Sequence, residues 1–176
     1  MEPFTATIPR IQTDRLLLRE HRRADFDDFA ANSADLEATT FLSGVSDRRT
    51  AWRIYLASTG SWVLDGRGWW SVELRATGVM VGTVGVFVRE SAPDFEIGWT
   101  VFRAHWRKGY GAEAAQAALD HAFTDHGAKR VIAHIDPKNE GSIGVAVKIG
   151  MRFEGDADFY GQPTSRYAID ARASGV

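Results

Sequence analysis

Residues 107–114 read Arg107-Lys108-Gly109-Tyr110-Gly111-Ala112-Glu113-Ala114: a basic pair, a glycine pair, then an alanine-rich helical pattern. Residues of these types at this spacing bind anions. The first backbone N–H groups of a helix have no intrahelical partner, and the helix dipole favours negative charge beside them. Glycines let the backbone approach closely, and Arg107 and Lys108 add positive charge on the same turn. A phosphate or pyrophosphate is the natural guest. The spacing Gly109-x-Gly111-x-x-Ala114, with Asp136 following the next strand, also fits a dinucleotide fingerprint. A tight turn that only starts a helix is a third reading. A Walker phosphate loop is excluded, because no Gly-x-x-x-x-Gly-Lys-Ser/Thr occurs.

Other chemistries are poorly supplied. The 176 residues contain no cysteine, which removes thiol nucleophiles, disulfides and thiolate metal sites and fits a reducing, cytoplasmic location. His121 and His126 are five apart rather than i, i+4, and no His-Glu-x-x-His occurs, so no metal site is expected. A formal net charge of -2 gives no reason to expect nucleic acid or an anionic membrane as partner. The N-terminal residues lack the basic start and apolar run of a signal peptide. No apolar run approaches the ~18–20 residues that span a bilayer.

The elements that must position the turn follow from pattern. Residues 10–20 alternate loosely around Leu16 and Leu18 and read as extended. Asp25 is a candidate cap for a short helix carrying Phe26 and Phe29. Residues 46–64 are helical, with Trp52, Tyr55, Leu56 and Trp62 as expected buried positions. Residues 69–74 and 79–88 form a hairpin about Thr77-Gly78. Residues 95–102 are a third strand, in which Gly98 suggests a bulge or a close approach. Residues 111–126 are the clearest helix, ended by Gly127; a strand at 130–135, a helix at 139–149 and closing strands at 152–159 and 164–170 complete the order. Hairpins and crossovers together predict an α+β class with a mixed, mostly antiparallel central sheet flanked by helices. With no repeat or linker, residues 1–176 read as a single domain. This order argues against a Rossmann-type NAD-binding oxidoreductase, which needs more parallel strands.

The ordered series TDRLLLRE (13–20), VGTVGV (81–86), EIGWTV (96–101), HWRKGYGAEA (105–114) and DPKNEGSIGVAVKIGMRFEG (136–155) resembles the GNAT N-acetyltransferase superfamily, and within it the RimJ/RimL-type branch. The resemblance spans residues about 13–170. It implies acetyl-coenzyme A as cofactor and an amine as acceptor, either a protein N-terminus or a small molecule, and it makes a homodimer plausible. It implies that backbone amides of Arg107, Lys108, Gly109, Tyr110, Gly111 and Ala112 hold the pyrophosphate. The pantetheine arm then pairs, like an added strand, with Trp99, Thr100, Val101 and Phe102. Asn139 bonds the pantetheine amide, and its strand splays from the Gly98 strand to open a V for the cofactor. Three positions depart from the family pattern. Trp106 stands first in the (Gln/Arg)-x-x-Gly-x-(Gly/Ala) motif, Ala146 replaces a tyrosine general acid, and Met151 replaces a phenylalanine.

Acetyl transfer needs a base for the ammonium, a donor for the tetrahedral oxyanion and a proton for the thiolate. Glu96 is the candidate base, acting through a water; a cross-strand pair on a solvent face is its plainer reading. A backbone N–H at a Gly98–Trp99 bulge is the candidate oxyanion donor. Ser142 is the candidate near the thiolate, since Ala146 cannot serve; helix capping is its plainer reading. Lys148 reads as a surface residue or a contact to the distal end of the cofactor, and Glu113 as support for the helix start. His105 beside the turn is a phosphate contact or a loop residue. Trp62, Trp69, Trp70 and Trp99 read as core, with one or two of them available to an acceptor cleft. Acceptor loops are expected at 24–65 and 159–165. A non-catalytic acyl-coenzyme A binding module is the alternative.

Overall fold

The computed structural model describes residues 6–42, 44–90 and 92–171. The elements are β1 (Ile11–Gln12), β2 (Leu16–Arg19), α1 (Phe26–Ser33), α2 (Arg48–Asp65), β3 (Trp69–Leu74), β4 (Met80–Arg89), β5 (Ala92–Val101), α3 (Tyr110–Thr124), β6 (Arg130–Ile135), α4 (Glu140–Lys148), β7 (Arg152–Phe159) and β8 (Gln162–Asp170). The strands form one eight-stranded sheet in the order β1-β2-β3-β4-β5-β6-β8-β7. Every neighbouring pair is antiparallel except β5 and β6. The mixed α+β class is thus the one the hairpin and crossover pattern implies, and the sheet is not the parallel one of a dinucleotide fold. No helix among the described residues is long and apolar enough to cross a membrane.

The core lies on the α3 face of the sheet. Strand side chains alternate between faces. Val84 and Val86 of β4 and Ile97 of β5 therefore meet Ala115, Ala118, Leu119 and Ala122 of α3, all buried in one cluster. Alanines bring the helix axis close to the strands. Gly111 continues this at the helix start, where an added Cβ would lie 3.2 Å from a Val101 methyl. On the other face, Tyr55 of α2 and Phe26 and Ala30 of α1 make a smaller cluster. Helix α2 starts at Asp47, whose Oδ1 accepts the Thr50 N–H at 2.7 Å, and stops at Gly66 in the left-handed region. Tyr55 and Trp62 are buried as expected, but Leu56 is half exposed, because it falls off the stripe that Ala51, Tyr55 and Trp62 define.

Two local expectations change. Asp25 makes no side-chain cap to α1. Its carboxylate instead takes both Arg19 NH groups at 2.7 and 2.8 Å, because Arg19 is itself buried and needs a counter-ion. Gly98 is not at a bulge. The β4–β5 register runs unbroken from Gly82↔Val101 to Val88↔Phe95 and shifts only between Val88 and Arg89. Gly98 and Gly85 are small because the Trp69 indole lies across both, and an added Cβ would approach the ring to 2.7 and 2.5 Å, respectively.

Candidate active site

Strands β5 and β6 pair at only two positions, Phe95↔Val131 and Glu96↔Ile132, and then part. The antiparallel ladder decides what the opened edge presents. Phe102 N–H bonds Val81 C=O, directly opposite in register, so alternate residues Thr100, Gly98 and Glu96 spend their backbone groups on β4. The backbone groups of Trp99 and Val101 therefore point toward β6, where no strand meets them. The Val101 carbonyl is taken by the Trp106 indole N–H at 2.6 Å. Trp99 keeps both its N–H and its C=O for a guest. The bulge at Gly98–Trp99 expected to carry the oxyanion donor is replaced by regular strand.

The cleft of about 500 Å³ that fills this opening is a typical size for a small-molecule site. The β5 residues Trp99, Thr100 and Val101 line one wall, and the turn residues Arg107, Gly109, Tyr110, Gly111 and Ala112 line the end. Asn139, Ser142 and Lys148 line the opposite wall. Three of the sequence candidates, Phe102, Lys108 and Glu96, do not line it. Phe102 is buried with its N–H spent on Val81, and Lys108 turns its Nζ to the Ala104 carbonyl at 3.2 Å while its own carbonyl accepts from Arg15. The positive charge at the turn is therefore Arg107, with Lys148 across the cleft. The rim from the α1–α2 connection, where Glu37, Ala38, Phe41 and Leu42 close the cleft, falls within the 24–65 segment expected to hold an acceptor loop. No spacing signal in the sequence singles out these four residues.

The turn is built to present amides. Arg107 adopts φ 60° and Gly109 φ 80°, and the N-cap position at Gly109 gives α3 no side-chain cap. The first-turn N–H groups of α3 therefore face the cleft unfilled. Glu113 could have capped them but is drawn away. It accepts from Thr13 Oγ1 at 2.6 Å, from Arg15 N–H at 3.0 Å and from Arg15 Nε at 2.7 Å. Burial works to raise the Glu113 pKa, but these hydrogen bonds win and hold it below the usual carboxylate value. His105 also lines the cleft; burial first, and Lys108 second, lower its pKa and keep it neutral near pH 7.

Across the cleft, Asn139 is the N-cap of α4, its Oδ1 accepting the Ser142 N–H at 3.0 Å. Its amide NH₂ makes no hydrogen bond within the described residues. Ser142 contributes its backbone to the cap and its side chain to the cleft wall. Ala146 is fully buried against the core, which explains the absence of a polar group at that position.

Glu96 sits at the last paired position of β5, where the strands begin to part. It is buried, and both of its oxygens are occupied by Arg89: Nε to Oε2 at 2.6 Å and NH2 to Oε1 at 3.0 Å. The guanidinium, its pKa raised chiefly by the Glu96 hydrogen bond, lies over the Phe159 ring at 4.4 Å and the Phe87 ring at 5.0 Å. Glu96 does not line the cleft itself. The sequence reading of a free carboxylate acting through water meets an ion-paired one. The reason is Arg89, which the hairpin between β4 and β5 places alongside it. No group of three or more potential metal ligands occurs among the described residues.

A model of the acetyltransferase (GNAT) domain matches residues 15–152. The chain belongs to the GNAT acetyltransferase family. YkkB of Bacillus subtilis (strain 168) is 32% identical to this GNAT acetyltransferase over 169 residues, 90% of this chain and 94% of its own. The crystal structure of an acetyltransferase from Agrobacterium tumefaciens str. C58 superposes with a TM-score of 0.85 at 28% identity, covering 97% of this chain and 99% of that one. RimL, a ribosomal L7/L12 alpha-N-protein acetyltransferase solved with coenzyme A, shares the fold at a TM-score of 0.78 and 15% identity, over 92% and 98% of the two chains. The enzyme class is accordingly that of an acyltransferase.

Proposed function

We propose that this GNAT acetyltransferase binds acetyl-coenzyme A in the cleft between β5 and β6 and transfers the acetyl group by direct attack of a primary amine. The observation that carries the reading is the continuity of two features in one cleft. An unpaired strand edge at Trp99 and Val101 leads straight to the uncapped N-terminus of α3. An extended arm with amides and a terminal pyrophosphate satisfies both. The coenzyme A bound by RimL supports the same cosubstrate here. The pantetheine amides bond Trp99, and the Asn139 NH₂ holds the arm from the other wall. The amides of Tyr110, Gly111 and Ala112 take the pyrophosphate, with Arg107 and Lys148 as counter-charges. The Trp99 N–H polarises the thioester carbonyl and receives the oxyanion. Ser142 stands nearest the departing thiolate. Glu96, ion-paired with Arg89, anchors the point on β5 from which the cleft opens.

The acceptor is a protein α-amine or a small primary amine, the former favoured by the resemblance to the RimJ/RimL-type branch. The chain acts as one domain and is compatible with a homodimer. Thermal unfolding with acetyl-coenzyme A and, separately, with NAD tests the cosubstrate. At a concentration 100 times Kd, the first adds about 2.7 kcal/mol of stability and the second none. An amine panel scored by thiol release then tests transfer. Absence of any shift with acetyl-coenzyme A overturns the reading, and a shift without thiol release from any amine favours an acyl-coenzyme A binding module.

A further inference from the structure

We propose that His134, a residue with no role in the reading above, is the group that takes the proton from the attacking amine, and that Glu96 is its positioning residue. The inference rests on the acetyl-transfer reading and sharpens it.

His134 lies on β6 two residues beyond Ile132, the last β6 residue paired with β5. Strand alternation puts Ile132 and His134 on one face. His134 is therefore level with Gly98 across the seam just where the strands have parted. Its Nδ1 is 3.4 Å from Glu96 Oε1. That Nδ1 is buried with no hydrogen-bond partner of good geometry, while Nε2 is not enclosed in this way. The ring is held flat by stacking on Phe159, with centroids 5.0 Å apart and planes at 26°. Glu96 in turn is fixed by the two hydrogen bonds from Arg89. A chain of contacts thus runs Arg89–Glu96–His134 and ends on a ring level with Gly98, where β5 and β6 have parted.

This arrangement sets the tautomer. A carboxylate beside Nδ1 favours the proton there and leaves the Nε2 lone pair free. The other charged groups around the imidazole balance one another. Arg89 comes from β4 and is spent on Glu96; Arg166, the cross-strand partner on β8, is spent on Glu154 of β7 at 3.2 Å and Asp94 of β5 at 3.6 Å. Tyr160, in the β7–β8 turn, packs edge-on against Phe159 at 4.8 Å. In the reaction the neutral amine nitrogen attacks the thioester carbon, forming the C–N bond and an oxyanion. The nitrogen then carries a positive charge and one surplus proton, which passes to His134 Nε2. Collapse of the oxyanion breaks the C–S bond, the thiolate leaves with the electron pair, and it takes a proton from solvent. His134 returns its own to solvent. The net change is amine plus acetyl-coenzyme A to amide plus coenzyme A.

The test uses the full chain with acetyl-coenzyme A and two acceptor probes, a peptide with a free α-amine and spermidine. His134→Gln keeps polarity and size but cannot be protonated. For the better probe, kcat falls about 100-fold or more while KM for acetyl-coenzyme A and the melting temperature stay near wild type. The acid limb of kcat/KM disappears in His134→Gln. In Glu96→Gln it persists but moves, because the imidazole remains and has lost its carboxylate. His134→Ala regains turnover with added imidazole. Wild-type turnover in His134→Gln, or an acid limb that vanishes with Glu96→Gln and survives in His134→Gln, overturns the proposal and leaves Glu96 as the base. If neither probe is acetylated, ¹⁵N NMR of the imidazole decides: an Nδ1-protonated tautomer that shifts in Glu96→Gln supports it, and an Nε2-protonated one overturns it. Loss of the acetyl-coenzyme A thermal shift in the wild type is a different outcome, and it removes the acetyl-transfer reading itself.

Discussion

The protein contains two buried arginine–carboxylate clusters with a histidine beside each, and they differ in closure. At the β2–β3 end, Arg19 bonds Asp25 through both NH groups and Glu73 through Nε at 2.6 Å. Asp25 also accepts the Arg22 N–H and the Ser71 hydroxyl. His21 is locked there by Ser71 at 2.7 Å and by stacking on Tyr55 at 4.5 Å. Every guanidinium nitrogen of Arg19 donates a hydrogen bond, and Nε2 of His21 is buried without a partner among the described residues. At the β5–β6 seam, Arg89 bonds one carboxylate, β6 parts from β5 beyond Ile132 to follow β8, and His134 stands beside Glu96 with Nδ1 3.4 Å from Oε1. The same residue types therefore do different work. A cluster closed off from solvent fixes geometry. A cluster left incomplete beside a cleft is available to a guest.

Arg19→Met gives the largest expected effect, a loss of about 3–5 kcal/mol in unfolding free energy, because it strands two carboxylates in the interior. Denaturant titration reads it, and activity per folded molecule is retained. Arg89→Met strands one carboxylate near the opening and costs about 1–3 kcal/mol, while turnover drops. Equal losses in the two variants would erase the distinction between closed and open clusters.

The pH dependence of stability sharpens it next. Burial pushes the His21 pKa down to about 4, with Arg19 also opposing protonation and Asp25 favouring it. An unfolded imidazole titrates near ~6.5, so between these values the unfolded chain binds more protons. Stability is fully present above that range and falls as pH drops through it, by on the order of 3 kcal/mol. His21→Leu flattens the fall; His105 and His126, whose pKa values are also lowered by burial, leave a remainder. Asp25 loses its contribution only at lower pH: burial tends to raise its pKa, but the Arg19 hydrogen bonds hold it below the usual carboxylate value. An unchanged profile in His21→Leu would show that His21 is not sealed.

Gly98→Ala tests the open side by crowding. Its Cβ would sit 2.7 Å from the Trp69 ring, which must move, at a cost of about 1–3 kcal/mol and with loss of transfer activity. Retention of both would show that the indole does not shape the seam. Trp106→Phe removes the donor to Val101 C=O and is the mildest change, about 1 kcal/mol, with weaker acetyl-coenzyme A binding by calorimetry.

Much of this was legible in the chain. The alanine stripe of α3, the glycine turn, the hairpin about Thr77-Gly78 and the Asn139–Ser142 pair fix element order, the uncapped start of α3 and the cap of α4. Each depends on neighbours within a few residues, through backbone φ, periodicity and orphan amides. The sequence alone also determines the absence of thiol chemistry. Tertiary structure decided the rest. Arg89 and Glu96 are seven residues apart on opposed strands, and whether the carboxylate is free or paired depends on a register shift at Val88–Arg89. His134 stands beside Glu96 only because β6 crosses over to lie parallel to β5. Glu113 leaves the helix start because Arg15, distant in sequence, is folded against it. The opening itself exists because β6 pairs with β5 for two residues and then follows β8, a balance of long-range hydrogen bonds that no local pattern encodes.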